Sequence, residues 1–193
     1  QGDDLYLDGE GIPTQLTDST TLHQFHAFNS KFSGLTGSLG ATYQFNDEIY
    51  IKLNAARGYR APNIAELGAN GLHDGTIRYV IGDPDLKAET SLQADAALGI
   101  NTHHLTVELD VFSNTINDFI FLRKLNSTSG GDSLSDGYST FKFVSGKANL
   151  FGGEIMIDIH PHPLDWLHFE NSFSYVQSVQ KDQPDSTKYL PFT

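Results

Sequence analysis

Apolar and polar residues alternate with a period of two along several stretches of the chain. From Leu105 to Val111 the odd-numbered residues are apolar, whereas Glu108 and Asp110 lie at even positions. Because successive side chains of a β-strand point to opposite faces, this period predicts strands with one apolar face. The alternation predicts about six such strands, at residues 35–45, 49–55, 92–100, 105–112, 154–160 and 167–175.

The connections between these strands fall into two length classes. Short polar turns are predicted at residues 45–48, 101–104 and 160–165, and longer connections at about 60–88, 124–137 and 179–190. The first thirty or so residues resemble another long connection. Short turns at one end and long loops at the other are typical of an outer-membrane β-barrel, with periplasmic turns and extracellular loops.

The two faces of the predicted strands support a membrane barrel over a soluble sandwich. Tyr43 and Phe45 lie beside one short turn, and Trp166 and Phe169 lie beside another, as an aromatic girdle at a membrane interface requires. The opposite face is too polar for a dry core, since unpaired polar groups are costly to bury. Its polar members are Glu108, Asp110, Asp158, His168 and Glu170.

Composition excludes several other classes of protein. The chain has 12 Lys and Arg against 24 Asp and Glu, a net charge of -12, which argues against a nucleic-acid partner. It has no cysteine, so disulfides and thiolate metal sites are excluded. No apolar run approaches the roughly 18 residues of a transmembrane helix. Without a nucleophile elbow or a zinc-protease motif, no enzymatic activity is expected.

Three sequence elements carry a family resemblance. Residues 57–67 read RGYRAPNIAEL, residues 81–89 read IGDPDLKAE, and residues 148–154 read ANLFGGE. In this order they resemble the barrel-strand signature, the "G-N-P-x-L-K-P-E" element and a later strand entry of TonB-dependent outer-membrane receptors. Asp83 and Ala88 replace the Asn and Pro that are usual in the second element.

The resemblance implies a fold, a location and a set of partners. Receptors of this family have a 22-stranded barrel with a plug domain, and six strands cannot close a membrane barrel alone. Residues 1–193 are therefore expected to be a partial barrel domain, with the plug and the remaining strands outside this sequence. The expected location is the outer membrane of a Gram-negative bacterium. The expected partners are outer-membrane lipid, the TonB complex through the missing plug, and an extracellular nutrient ligand.

The expected function is uptake of a metal chelate, haem, a metal ion or a similar nutrient, and siderophore, haem and zinc receptors are the candidate types. No resident cofactor is expected, although a metal or its chelate would be the cargo. The alternative is a soluble β-rich binding or adhesion module in which the alternation reflects two packed sheets.

Two groups of residues are candidates for substrate binding. Arg57, Tyr59, Arg60, Asn63 and Glu66 lie where a strand enters a long connection. One interpretation is that Arg60 and Glu66 tie the base of the loop to the barrel wall or plug. The other is that the group lines the funnel and contacts the ligand.

The second group lies in the loop at residues 71–79. His73 and Asp74 are a candidate metal-binding pair, and Arg78 and Tyr79 are candidate substrate contacts. A solvated loop pair is the competing interpretation of His73 and Asp74, because two adjacent ligands do not complete a metal site.

The remaining histidines give weaker signals. His23 and His26 are spaced to face one way on a helical turn and are further outward metal candidates. The others cluster near the short turns and are interpreted as turn and rim residues: His103, His104, His160, His162 and His168.

Overall fold

A computed structural model describes residues 28–181 except Asp74 and Asp165, together with the backbone of three short strands near the start. These strands are β1 (Leu5–Leu7), β2 (Pro13–Thr14) and β3 (Leu22–Phe25), which pair in the antiparallel order β2-β1-β3. The prediction for His23 and His26 concerns side chains that lie outside the described residues.

The rest of the described chain is almost entirely β-structure. The elements in chain order are β4 (Gly37–Gln44), β5 (Ile49–Arg60), α1 (Ile64–Gly68), β6 (Asn70–His73), β7 (Arg78–Ile81), β8 (Glu89–Asn101), β9 (Leu105–Lys124), β10 (Leu134–Ser135), β11 (Tyr138–Ile159) and β12 (Phe169–Lys181). Among the described residues, no helix combines the length and apolar character needed to cross a membrane.

The chain divides into two compact units, which draw on alternate segments. Unit 1 consists of Gln1–Ser33, Arg60–Glu89 and Asp118–Ser145, and unit 2 consists of Gly34–Tyr59, Thr90–Asn117 and Gly146–Thr193.

Unit 2 contains an antiparallel sheet built from segments of six long strands, in the order β4-β5-β8-β9-β11-β12. Each long strand is thus beside the next long strand along the chain, which is the up-and-down order. The register aligns Tyr43 with Ile51, Leu98 with Leu109 and, in the last pair, Asp158 with Glu170. The predicted fold class is confirmed.

One face of this sheet is a hydrogen-bonded polar surface. Glu108 accepts hydrogen bonds from the Tyr50 hydroxyl and from Lys52 Nζ, each at 3.3 Å. Asp95 accepts from Asn54 at 2.9 Å and from Gln93 at 2.7 Å. The partners come from β5, β8 and β9, so residues on this face of neighbouring strands satisfy one another's polar groups.

A glycine makes room for this network. A Cβ atom added at Gly99 would overlap the Tyr50 ring, far inside van der Waals contact. The Tyr50 ring therefore lies directly over the β8 backbone, and its hydroxyl reaches Glu108 on β9. A larger residue at position 99 would displace the ring and its hydrogen bond.

The opposite face of the sheet is apolar and exposed. Leu39 is 81% exposed, Phe173 is 68% exposed and Val111 is 48% exposed. Aromatic residues lie at both predicted positions beside the short turns, and the Tyr43 and Phe45 rings meet edge to face with centroids 4.9 Å apart. A continuous apolar surface of this kind requires an apolar environment, because exposed apolar area is unfavourable in water.

Unit 1 has its own small core. Its buried residues are Leu67 of α1, Leu86 of the segment before β8, and Ile120 of β9. Three partly buried phenylalanines pack against them: Phe28, Phe32 and Phe143. Here β6 and β7 form an antiparallel hairpin, and β7 runs parallel to β11 with Tyr79 beside Thr140. The short strand β10 forms a second hairpin with the start of β11.

The structure differs from the sequence predictions in the extent of three segments. The strand predicted at residues 105–112 continues to Lys124, and the strand predicted from residue 154 begins at Tyr138. The ANLFGGE element is therefore in the interior of β11 and is not a strand entry. The predicted long connection at residues 60–88 contains α1 and the β6–β7 hairpin.

Candidate functional site

Arg60 is the centre of a hydrogen-bonded charge cluster in unit 1. Its Nε donates to Glu89 Oε2 and its Nη2 donates to Glu89 Oε1, both at 2.7 Å. Its Nη1 donates to both carboxylate oxygens of Glu66, at 2.9 and 3.0 Å. One guanidinium thus bridges two carboxylates, and its contact with Glu89 is the paired fork geometry that only arginine provides.

Glu66 also caps the short helix that follows β5. The Asn63 side chain accepts a hydrogen bond from the Glu66 N–H at 2.8 Å, and Glu66 Oε2 accepts from the Asn63 N–H at 2.8 Å. This reciprocal capping box satisfies two amides at the start of α1. The Arg60 contact therefore fixes the helix to the end of β5.

Glu89 completes the cluster by accepting the Ile120 N–H at 2.6 Å. Burial raises the pKa of Glu89, but the Arg60 and Ile120 hydrogen bonds together with the Arg60 charge outweigh it and leave this pKa below its ordinary value. The hydrogen bonds from Glu89 raise the pKa of Arg60, against the opposing effect of burial. Glu89 was not among the predicted site residues.

The lowered pKa of Glu89 gives a pH dependence with a defined sign. A carboxylate whose pKa is lower in the folded state stabilises the fold above its unfolded pKa, near 4.5, and loses that contribution as the pH falls through the folded value. We expect E89Q to be less stable than the wild type at pH 6, and the difference to shrink as the pH falls below 4.5 towards the lowered pKa of Glu89. Urea denaturation over this pH range measures it, and a pH-independent difference would contradict the charge assignment.

The second sequence element packs against the first. The Gly82 N–H donates to Ala69 O at 2.6 Å, and the Asp83 N–H donates to Glu66 O at 2.9 Å. A Cβ atom at Gly82 would lie 2.7 Å from backbone atoms of Leu67, Gly68 and Ala69. Glycine is thus required at position 82 by close approach of the backbone to α1.

Arg57 and Tyr59, which were predicted with this group, lie in unit 2. Arg57 is exposed on β5, where Gly37 of β4 is its register partner. The Tyr59 ring covers Gly34, where an added Cβ atom would overlap it. The Tyr59 hydroxyl is buried and has no hydrogen-bond partner among the described residues. The structure does not place these two side chains in the Arg60 cluster.

A cavity of about 310 Å³ lies in unit 1 beside the β6–β7 hairpin. Its wall is mainly apolar and includes Ala65, Ala69, Leu72, Val80, Leu122 and Phe143. Asn70, His73, Thr76 and Arg78 add polar groups. The cavity thus combines an apolar wall with imidazole, hydroxyl and guanidinium groups.

Local contacts hold the polar side chains of this hairpin. Arg78 Nε donates to Thr76 Oγ1 at 2.8 Å, and the Arg78 guanidinium lies 5.2 Å from the centre of the Phe141 ring. The Tyr79 hydroxyl donates to Asn70 at 2.9 Å. Burial raises the pKa of Tyr79, and the charge of Asp136 adds to the rise, so this phenol is neutral at pH 7.

The structure brings only part of the predicted set together. His73 and Arg78 are register partners in the hairpin and both line the cavity. Arg60, Asn63 and Glu66 form the adjoining charge cluster and do not line the cavity. Asp74, the proposed metal partner of His73, lies outside the described residues.

Comparisons with known proteins point to one family. The family model described as TonB dependent receptor-like, beta-barrel matches residues 12–193. The siderophore receptor PirA from Pseudomonas aeruginosa aligns with a TM-score of 0.56 and 20% identity, over 74% of this chain and 25% of that chain. The copper transporter OprC aligns with a TM-score of 0.58 and 17% identity, over 81% of this chain and 22% of that chain.

The FrpB iron transporter from Neisseria meningitidis gives a similar result, with a TM-score of 0.53 and 17% identity over 82% of this chain and 21% of that chain. At these identities the likeness is one of fold. The chain spans about a quarter of the length of the structures that it matches.

Proposed function

Because this chain belongs to the TonB-dependent receptor-like β-barrel family, we propose that its long strands form part of the wall of an outer-membrane uptake receptor. The cargo is a metal chelate, haem, a metal ion or a similar nutrient, and the location is the outer membrane of a Gram-negative bacterium. In this proposal the chain is a transport component and not an enzyme.

The two-faced sheet of unit 2 is the observation that carries this proposal. Glu108 and Asp95 are satisfied by hydrogen bonds on one face, whereas Leu39 and Phe173 are largely exposed on the other. Lipid removes the cost of exposing the apolar face, and a polar interior suits the hydrogen-bonded face. A soluble β-rich binding or adhesion module, the alternative function, would need a second layer over the apolar face.

The proposal includes three partners. Outer-membrane lipid contacts the apolar face, and a nutrient ligand approaches from the long-loop side. Energy for transport comes from the TonB complex, acting through a plug domain that is outside this sequence. The Arg60 contacts with Glu66 and Glu89 support the structural interpretation of that cluster, in which it fastens α1 at the end of β5.

We propose that the ligand is captured first at the cavity beside the β6–β7 hairpin. Leu72 and Phe143 offer apolar contact, and Arg78 and His73 offer a cation and an imidazole. Such a combination suits an anionic chelate with an apolar or aromatic part. Direct contact of Arg57, Tyr59, Arg60, Asn63, Glu66 or Tyr79 with the ligand stays a prediction.

The test is growth of a strain that depends on this receptor, with iron supplied only as a ferric chelate or as haem and, separately, under zinc limitation. We expect growth on at least one source and loss of that growth when TonB is deleted. Uptake by an H73A R78Q variant is expected to be about tenfold weaker, which corresponds to a loss of about 1.4 kcal/mol of binding free energy.

Arg123 provides the matched control, because it is an exposed arginine of β9 that does not line the cavity. R123Q is expected to leave uptake unchanged. Equal uptake by the wild type and the H73A R78Q variant would contradict capture at the cavity, while growth on none of the sources, or growth on every source without TonB, would contradict TonB-dependent transport.

A further inference from the structure

The short turn between β11 and β12 brings together metal-binding side chains from two strands. Asp158 and Glu170 are register partners in the antiparallel pair. His168 immediately precedes β12 and lies two residues before Glu170, so continued alternation places it on the same face of the sheet. His160 immediately follows β11 and by the same reasoning shares the face of Asp158. The group is thus one strand residue and one flanking residue on each side of the turn, on the face opposite Ile159 and Phe169.

The ligand atoms of three of these residues are close together. Asp158, His168 and Glu170 each offer one atom, and these atoms all lie within 4.8 Å of one another. His168 Nδ1 is 2.9 Å from Asp158 Oδ2. Ligand atoms around tetrahedral zinc are roughly 3.3 Å apart, as bonds of about 2.0–2.2 Å require. Small side-chain rotations would bring these three atoms to that spacing.

Asp158 supplies an independent observation that points to a bound cation. Its side chain is 16% exposed, and its Oδ1 atom is buried without a hydrogen-bond partner among the described residues. A buried carboxylate oxygen without a donor is costly, so such an atom needs an explanation. A bound cation would satisfy Oδ1 as well as the oxygen that now contacts His168.

A second histidine, His160, directly follows β11 and lies beside His168. The His160 ring lies 5.2 Å from the His168 ring, centre to centre. The His160 carbonyl oxygen is 3.3 Å from His104 Nδ1, and the His160 N–H donates to the His104 carbonyl oxygen at 3.1 Å. These contacts connect the β11–β12 turn to the preceding short turn and hold His160 beside the three ligands.

We propose that Asp158, His168 and Glu170 bind a divalent transition metal at the short-turn end of the sheet, with His160 as a fourth ligand. A set of imidazole nitrogens and carboxylate oxygens suits zinc, and it also accepts copper or nickel. The site shares no residue with the cavity beside the β6–β7 hairpin, and it does not depend on what the receptor transports.

The test is zinc titration by calorimetry of the full-length receptor purified in detergent and stripped with a chelator. We expect a wild-type binding event that is lost in H168A and weakened at least tenfold in E170Q, which keeps the shape of the side chain but removes its charge. Heat-modifiable migration on gels verifies that each variant has a folded barrel.

His103 provides the control, because it is an exposed histidine of a neighbouring short turn outside the ligand group. H103A is expected to bind zinc as the wild type does. With Cu²⁺ as a spectroscopic probe, nitrogen coupling in the electron paramagnetic resonance spectrum should diminish in H168A and persist in H103A. Zinc binding that is equal in the wild type and H168A, equal losses in H168A and H103A, or no binding at all would overturn the proposal.

Discussion

Replacing Arg60 by alanine is expected to destabilise the receptor by about 3 kcal/mol, the low end for breaking a buried ion pair. The Glu66 and Glu89 side chains are only 10% and 12% exposed, so the variant leaves two nearly buried carboxylates without their shared cation. The estimate is at the low end because the Arg60 side chain is 43% exposed, and water screens part of the interaction.

Lysine at position 60 should recover only part of this stability. A lysine ammonium keeps the charge, but it cannot make the fork contact with Glu89 and reach Glu66 at the same time. The order of stability is therefore wild type, then R60K, then R60A, measured as the midpoint of urea denaturation in detergent.

Arg57 is the control for this series, since it is an exposed arginine on the same strand and makes no ion pair among the described residues. R57A should change the midpoint little. If R60A unfolds at the wild-type midpoint but binds the nutrient less tightly, the residue acts on the ligand and not on the fold. That outcome would support the alternative interpretation of Arg60.

Arginine at Val111 is the substitution expected to do most damage on the apolar face. Val111 is 48% exposed on the face that we assign to lipid, in the middle portion of the sheet in unit 2. Arginine at the centre of a membrane barrel costs about 2–4 kcal/mol when it faces lipid. V111R should therefore assemble poorly and unfold at lower denaturant concentration.

The neighbouring residue gives a control at nearly the same depth. Asp110 lies on the polar face and is exposed, so arginine there meets a polar interior. D110R should assemble normally and lose little stability. Folding efficiency into lipid vesicles, followed by gel mobility, measures both variants. Equal damage from V111R and D110R would remove the basis for assigning the two faces.

The period-two pattern predicts well the parts of the strands that belong to unit 2 but fails in the parts that belong to unit 1. In β9 the alternation holds from Leu105 to Val111. At Asp118 the backbone has a φ of 53°, and the apolar residues 119–122 that follow are consecutive. Ile120 packs against Leu67 and Leu86 of the core of unit 1, so the strand is no longer apolar on one face alone. A rule based on one apolar face cannot recognise such a segment.

The β6–β7 hairpin was predicted only as part of a loop, although its sequence carries a turn signal. Asp74 and Gly75 form a dipeptide that favours a tight turn between short strands. The short strands on either side, four residues each, provide too little alternation to be recognised alone.

The candidate site residues also divide into those whose grouping the sequence predicts and those whose grouping depends on the pairing of strands. Arg60, Asn63 and Glu66 are adjacent in sequence, and their grouping was predictable from one motif. Glu89 is 29 residues from Arg60, and nothing in the sequence pairs them before the strands are aligned. The histidines near the short turns were interpreted as rim residues. The two-residue spacing of His168 and Glu170 already placed them on one face, but their nearness to Asp158 depends on the register of β11 and β12.

The claim that these strands form a membrane wall is tested most directly by a cysteine scan of residues 105–112, in a receptor from which any cysteine outside residues 1–193 has been removed; residues 1–193 contain none. Each variant of the full-length receptor is spin-labelled in lipid vesicles, and collision of the label with oxygen and with a water-soluble nickel complex is compared. The predicted result is alternation, with oxygen access highest at the odd-numbered positions of the apolar face, from Leu105 to Val111, and nickel access highest at Glu108 and Asp110. Uniform access to the nickel complex along residues 105–112 would contradict the claim that these strands form a membrane wall.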